Sequence, residues 1–412
     1  MLELPGMRHI QRTGDMMRRI RKLTKAEHGV TRILWEEVFT EDEDAFLDYY
    51  YEVKATENTI YVIEDDAGDP LSMLQLNPYS VRFGKKDRTL HYIVAVATRE
   101  KYRGRGYMRE LLETSASEMY RDGEPFTFLM PAAEAIYYPH GFRFVYRQRQ
   151  IDGKVKDGLV GEGTVRPATL SDCHALARFA EEVLSETEWV RAVRTEEYYR
   201  TLVKEQQSEG GRILVTECKG QIRGFVLYGY WEGKAELREP LVYQEKDWQS
   251  LAVFLEKEPV DTLHITGILP RLEPWIERSL AEPVKKDVPM IMARIVHLGQ
   301  FLESFRAKAD FTVKIQVEDE RIPENTGCWE IYGENGAFLR AEKQEETTSG
   351  DTDEKVTPGD LVTALFGYDD KKGRNKNEEK DTEKDGRSVG TNLRILADGV
   401  VAAPPVFLNE IV

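Results

Sequence analysis

The stretch that most constrains this chain runs from Tyr92 to Leu112. Ile93 to Thr98 is an apolar, β-branched run of the kind that forms a buried strand. The chain then turns through Arg103-Gly104-Arg105-Gly106 and leaves as an amphipathic helix with Met108, Leu111 and Leu112 on one side. A glycine-rich turn between strand and helix leaves backbone N–H groups pointing outward, and the helix dipole adds positive potential there. With two arginines beside it, the turn reads as a seat for a diphosphate. The competing reading is an ordinary strand–turn–helix connection with glycines for tightness. A dinucleotide fold is disfavoured, because Gly-x-Gly-x-x-Gly is absent and no acidic residue follows on a suitable strand.

At 412 residues the chain is too long for one ordinary core, so two or three domains are expected. A formal charge of −16 excludes a typical nucleic-acid binder and suits a cationic substrate. No apolar run is long enough to span a bilayer, and Met1 to Arg19 has arginines without the apolar segment of a secretory signal. Cys173, Cys218 and Cys328 are scattered singly, with neither metal spacing nor evident pairing. A reducing cytoplasm is the expected location, and no metal is expected.

In chain order, residues 1–16 read as a flexible extension and residues 18–24 as a first strand. Thr24-Lys-Ala-Glu27 is a capping box opening a helix to about Phe39. A hairpin follows over Ile60–Gln75, then the strand from Thr89 to Thr98, the helix to about Tyr120, and a strand over Pro125–Met130. A short helix around Ala133–Tyr138 and a strand from Phe142 close the unit. The pattern then recurs 145 positions on: Arg21-x-x-Thr24-x-x-Glu27 returns as Arg166-x-x-Thr169-x-x-Asp172, and Trp35-Glu-Glu-Val-Phe39 as Ala180-Glu-Glu-Val-Leu184. This predicts a duplicated α/β domain. Gly229 to Pro240 of the second copy offers no diphosphate seat, so that copy is expected to scaffold. From about Met292 the character changes to an amphipathic helix, an alternating strand over Phe311–Val317 and a capped helix over Thr357–Gly367. Residues 369–387 hold seven acidic and seven basic side chains, which reads as a solvated loop extending to about 389.

Arg103-Gly-Arg-Gly106-Tyr-Met108 resembles the pyrophosphate loop of the GNAT superfamily of N-acetyltransferases, Arg/Gln-x-x-Gly-x-Gly/Ala, with Met108 where the pattern has a small residue. Ala135-Ile-Tyr-Tyr-Pro-His-Gly-Phe142 resembles the Tyr-x-x-x-Gly-Phe segment that follows the fifth strand of these enzymes. The C-terminal order resembles a sterol-carrier-protein-like domain. Together these features resemble the enhanced intracellular survival (Eis) acetyltransferases. The resemblance implies an α/β (α+β) chain: a catalytic GNAT domain over 17–150, a degenerate GNAT-like domain over 151–292, and a sterol-carrier-protein-like α+β domain over 293–412.

The resemblance also implies acetyl-CoA as co-substrate and a homohexamer. It places the coenzyme on Val96, Ala97, Thr98, Arg103, Gly104, Arg105, Gly106, Tyr107, Met108 and Ala132. Direct transfer needs a proton for the departing thiolate, and the resemblance puts the Tyr137 hydroxyl there as general acid. It makes the terminal carboxylate of Val412 the general base, in a pocket to which Glu410 contributes an acidic group. His140 is a weaker candidate base in the loop before Gly141-Phe142. For the acceptor, Trp35, Glu36 and Phe39 on the first helix would hold a cationic amine, and the run Glu41–Asp44 reads as a solvated helix start. The expected reaction is acetyl transfer to amines of polycationic compounds: aminoglycoside-like molecules, polyamines or lysine side chains. The alternatives are a lipid or hydrophobic-ligand carrier with a vestigial acyltransferase half, and a purely structural assembly protein.

Overall fold

The computed structural model describes residues 19–187, 190–231, 233–344, 355–367, 391–401, 403 and 405–410. The expected N-terminal extension, the charged loop at 369–389 and Val412 lie outside the described residues. The first unit runs β1 (Arg19–Lys22), α1 (Arg32–Val38), α2 (Asp44–Glu52), β2 (Thr59–Glu64), β3 (Pro70–Phe83), β4 (Lys86–Thr98), α3 (Tyr107–Arg121), β5 (Phe126–Leu129), α4 (Glu134–Tyr137) and β6 (Arg143–Val155). The first turns of the helix expected from Thr24 are a 3-10 segment over Lys25–Thr31, capped by Thr24 with Glu27.

The second unit repeats this order: β7 (Thr164–Pro167), α5 (Cys173–Leu184), α6 (Glu196–Ser208), β9 (Arg212–Cys218), β10 (Gln221–Trp231), β11 (Lys234–Val242), α7 (Glu245–Leu255), β12 (Thr262–Thr266), α8 (Glu273–Ser279) and β13 (Leu280–Ile295), with a short β8 (Val190–Ala192) added before α6. The repeated motif makes the same contact twice. Arg21 bridges the cap acid Glu27 at 2.6 Å and Glu64 of β2 at 3.1 Å. Arg166 bridges Asp172 at 2.9 Å and Glu217 of β9 at 2.6 Å. In each copy one arginine ties the helix start to the second strand.

The strands of both units form one sheet, in the order β1-β2-β3-β4-β5-β13-β6-β12-β11-β10-β9-β7. β13, from the end of the second unit, lies between β5 and β6 of the first, pairing Met292 with Leu129 and Val288 with Gln148. On its other side β6 pairs with β12, Ile151 facing Ile265. The sheet is therefore continuous across residues 150 and 292, the positions read as domain edges.

The C-terminal part adds α9 (Leu298–Leu302), β14 (Phe311–Val317), β15 (Gly327–Gly333), β16 (Arg340–Lys343), β17 (Lys355–Val356), α10 (Pro358–Phe366), α11 (Thr391–Gly399) and β18 (Val406–Phe407). Its small sheet has the order β16-β15-β14-β17. Thr357 and Asp360 form the capping box that starts α10. Leu361, Val362 and Leu365 of α10 are fully covered, and Phe366 stacks on Phe83 at 6.1 Å and meets Phe126 edge-on at 5.9 Å. The apolar face of α10 is thus packed within the protein, in part on the first unit's sheet. β18 pairs with β8, which pairs with β3, so the last described residues run into the junction of the two units.

Candidate active site

β4 is bulged. Val94 faces Gln75 and Ala97 faces Met73, so Ala95 and Val96 together stand opposite Leu74, and Ala95 takes φ +49°. On its other edge β4 pairs with β5 only at Tyr92 and Phe128. Past that pair the two parallel strands share no ladder, which opens a wedge between them. Val96 and Thr98 are half-buried at its edge, and Ala97 is buried in the ladder to β3.

Beyond the wedge the loop enters α3. Gly104 and Gly106 sit at φ +74° and +83°, a region only glycine adopts without strain. A side chain at Gly104 would meet nothing within 4 Å, so backbone conformation rather than crowding calls for glycine there. Arg103 donates to the Thr98 carbonyl at 3.2 Å, and the Arg105 guanidinium lies 5.1 Å from the Tyr102 ring. Tyr107 is buried, and Met108 packs on the first unit's core beside Leu111 and Leu112. A large residue is accommodated because its side chain points inward while its N–H belongs to the helix start. Ala132 is exposed just past β5.

Tyr137, at the end of α4, is 7% exposed and meets Phe142 edge-on at 5.8 Å. Burial pushes its hydroxyl up to about 12, so it keeps its proton through the physiological range. Tyr138 lies under the Arg143 guanidinium, 3.4 Å from the ring centre. His140 is held below its usual value by burial and by Arg321, Arg294 and Arg109, so it is neutral at pH 7. It faces the glycine-rich loop: an open groove of about 450 Å³ is lined by Gly104, Arg105, Gly106, Arg109, His140 and Arg321.

A cavity of about 260 Å³ lies where the two units and the C-terminal segment meet. Glu57, Glu197, Glu205, Glu239 and Glu410 line it, against Lys54 and Arg238. Arg194, fully buried, donates to Glu410 Oε1 at 2.7 Å and to Glu239 Oε2 at 2.9 Å. Glu410 Oε2 is buried with no partner among the described residues. Asn409 accepts from the Tyr146 hydroxyl at 2.8 Å and from Gln148 at 3.2 Å, which fixes the segment on β6. Lys54 donates to the Tyr79 hydroxyl at 2.6 Å, and Tyr49 donates to Glu205 at 3.1 Å. Burial raises the carboxyls of Glu205 and Glu239 and lowers the ammonium of Lys54. Burial raises the Tyr92 hydroxyl, and Glu410 and Tyr137 add to the shift.

The acceptor residues read on the first helix are not gathered at this cavity. Trp35 is 3% exposed, packed on Tyr50 at 4.5 Å with its N–H donated to Asp42 at 2.7 Å. A ring covered on both sides has no face for a ligand. Glu36 is exposed and pairs with Arg32, and Phe39 packs edge-on against Trp35. Of the four expected acceptor residues only Glu410 lines the cavity. The second copy was read as scaffold, yet it supplies Arg194, Glu197, Glu205, Arg238 and Glu239. One signal for Glu239 was available: Pro240 after the alternation Ala235-Glu-Leu-Arg marks a strand irregularity. Its actual counterpart to the diphosphate loop lies later than Gly229–Pro240, at Tyr243-Gln244, where Glu245 and Asp247 make the start of α7 acidic.

Residues 19–145 match the family model for an acetyltransferase (GNAT) domain, and residues 298–374 that for a sterol carrier protein domain. No curated protein is matched by the sequence. Among solved structures, the fold is similar to a conserved protein of unknown function from Enterococcus faecalis, suggested to be an N-acyltransferase (TM-score 0.76, 19% identity, covering 96% of this chain and 100% of that one). It is also similar to a GCN5-related N-acetyltransferase from Kribbella flavida (0.73, 17%, 96% and 99%) and to Eis1 from Mycobacterium abscessus (0.63, 13%, 94% and 98%). Among the described residues no group of His, Cys, Asp or Glu is arranged to hold a metal ion, and no helix is long and apolar enough to cross a membrane.

Proposed function

We propose that this chain, an acyltransferase with a GNAT acetyltransferase domain and a sterol carrier protein domain, transfers acetyl from acetyl-CoA to amines of polycationic acceptors. The observation that carries the reading is the inter-unit cavity, whose five carboxylates outnumber its two cations. A second groove adjoins it at Arg238. There Glu41, Asp42, Glu43, Glu209 and Glu236 stand with the exposed Trp231, and Arg238 is shared between groove and cavity. An elongated cation bearing several ammonium groups suits such a path.

In this reading the coenzyme's diphosphate lies on the loop from Arg103 to Met108 and its thioester in the wedge beside Val96, Ala97 and Thr98. Backbone N–H groups at the bulge take the charge that develops on the carbonyl oxygen. The free amine attacks the carbonyl carbon, the C–N bond forms, and the C–S bond then breaks. Tyr137 gives its proton to the departing sulfur. The amine's proton passes to the carboxylate of Val412, two residues beyond Glu410, with Arg194 fixing Glu410. The proposal includes a cytoplasmic homohexamer, checked by light scattering.

The test is thiol release from acetyl-CoA with polyamines, aminoglycosides and lysine peptides as acceptors. Turnover with polycations, lost when Gly-Ser-Gly is appended after Val412, supports the reading. Full activity of the extended variant moves the base elsewhere. Absence of both thiol release and coenzyme binding overturns the acetyltransferase assignment.

A further inference from the structure

Besides α10, the C-terminal domain meets the first unit through the loop between β14 and β15. Asp319 organises this loop. Its carboxylate accepts from the backbone N–H groups of Arg321 and Ile322, each at 3.0 Å, from Asn325 at 3.0 Å and from Arg294 of β13 at 2.7 Å. Arg294 and Asp319 are buried, and Ile322 is fully buried within the first unit's core. The loop is thus anchored against the acetyltransferase unit, and Arg321 lies between its anchors Asp319 and Ile322.

We infer that Arg321 binds the ribose 3′-phosphate of the coenzyme, so that the C-terminal domain completes the acetyl-CoA site of the first unit. This rests on the acetyl-CoA reading above. The loop's backbone N–H groups and the start of α3 suit the diphosphate. The remaining phosphate is a monoester carrying nearly two charges, and it needs cationic side chains. Arg105, Arg109 and Arg321 ring the open groove beside the loop. Arg321 is half-buried and pairs with Glu113 of α3 at 2.8 Å. That contact holds the guanidinium at the groove, and a phosphate competes with Glu113 for it. His140, which lines the same groove, is held below its usual value first by burial and then by Arg321 and Arg294.

The experiment compares KM for acetyl-CoA and for acetyl-dephospho-CoA, which lacks this phosphate, in wild type, Arg321→Met and Glu113→Gln. Arg321→Met is expected to raise KM for acetyl-CoA about tenfold, from loss of one charge-assisted contact, and to leave kcat and the KM for acetyl-dephospho-CoA unchanged. Glu113→Gln, which releases Arg321, is expected to lower KM for acetyl-CoA only. Equal losses with both coenzymes, or none, overturn the inference while leaving the acetyltransferase reading intact. Failure of wild type to bind either coenzyme overturns both.

Discussion

Ala95 of β4 and Glu239 of β11 hold the same backbone angle, φ +49°, at the same step of the duplicated unit. Ala95 and Val96 stand opposite Leu74, and Glu239 and Pro240 stand opposite Val226. In the first copy the bulge opens the wedge proposed for the thioester. In the second the same bulge turns a carboxylate toward Arg194 and the cavity. One backbone irregularity thus serves two ends, according to the side chain it carries.

Tyr137→Phe removes the proposed acid while keeping the ring that packs on Phe142. A loss of about a hundredfold in kcat is expected, with KM for acetyl-CoA unchanged. Steady-state thiol release checks this, and an unaltered kcat would remove Tyr137 from the mechanism.

Lys54 and Glu205 face each other's fields across the cavity. Lys54→Met deletes a cation from the proposed acceptor site, and KM for polyamines should fall severalfold. Glu205→Gln should raise it by about tenfold. Acceptor titrations at fixed acetyl-CoA decide the pair, and movement of both in the same direction would contradict a cation site.

Burial raises the Glu205 carboxyl above its ordinary value. Between the ordinary and raised values the folded protein holds a proton that the unfolded chain has lost, so stability falls as pH rises through that window. Glu205→Gln removes this dependence. The melting temperature of the variant relative to wild type should therefore be higher above the window than at about pH 4, the ordinary carboxylate range.

Arg294→Met leaves Asp319 as a buried carboxylate without its cation. A cost of about 3–5 kcal/mol is expected from such a break, read in denaturant unfolding. If the loop positions Arg321, this variant also weakens acetyl-CoA binding.

The Arg166–Asp172–Glu217 contact holds Asp172 down to about 2, chiefly through Arg166. Its stabilisation is present above the unfolded aspartate value of about 4 and is lost as pH falls from there toward 2. Asp172→Ala should cost about 1 kcal/mol at pH 7 through the lost cap, and less at pH 2.5.

Much of the fold was legible because local chemistry announces itself. The alternation of Phe311–Val317, the capping box at Thr357 and the repeated Arg-x-x-Thr-x-x-acid each became the element they predict. Strand lengths were underread: β6 runs to Val155 and β3 to Phe83, because their far halves pair with partners distant in sequence. The turn at Gly104 and Gly106 was readable, since glycine pairs with positive φ leave a local mark. The cavity was not. Lys54, Arg194 and Glu205 look like ordinary solvated charges on their own segments, and only the meeting of the two units buries them. Trp35 misled for the converse reason: an amphipathic helix shows that an aromatic lies on one face, not whether that face meets solvent or the core.

The place of β13 between β5 and β6 bears on how the chain is made. During synthesis from the N-terminus, β5 and β6 emerge long before the strand that separates them. Until residue 295 has left the ribosome, the first unit has two exposed strand edges and a gap in its sheet. Such edges invite mispairing and chaperone capture. A nascent chain arrested after residue 155 should therefore be protease-sensitive, and the first unit should not survive expression alone, although it bears the glycine-rich loop and Tyr137.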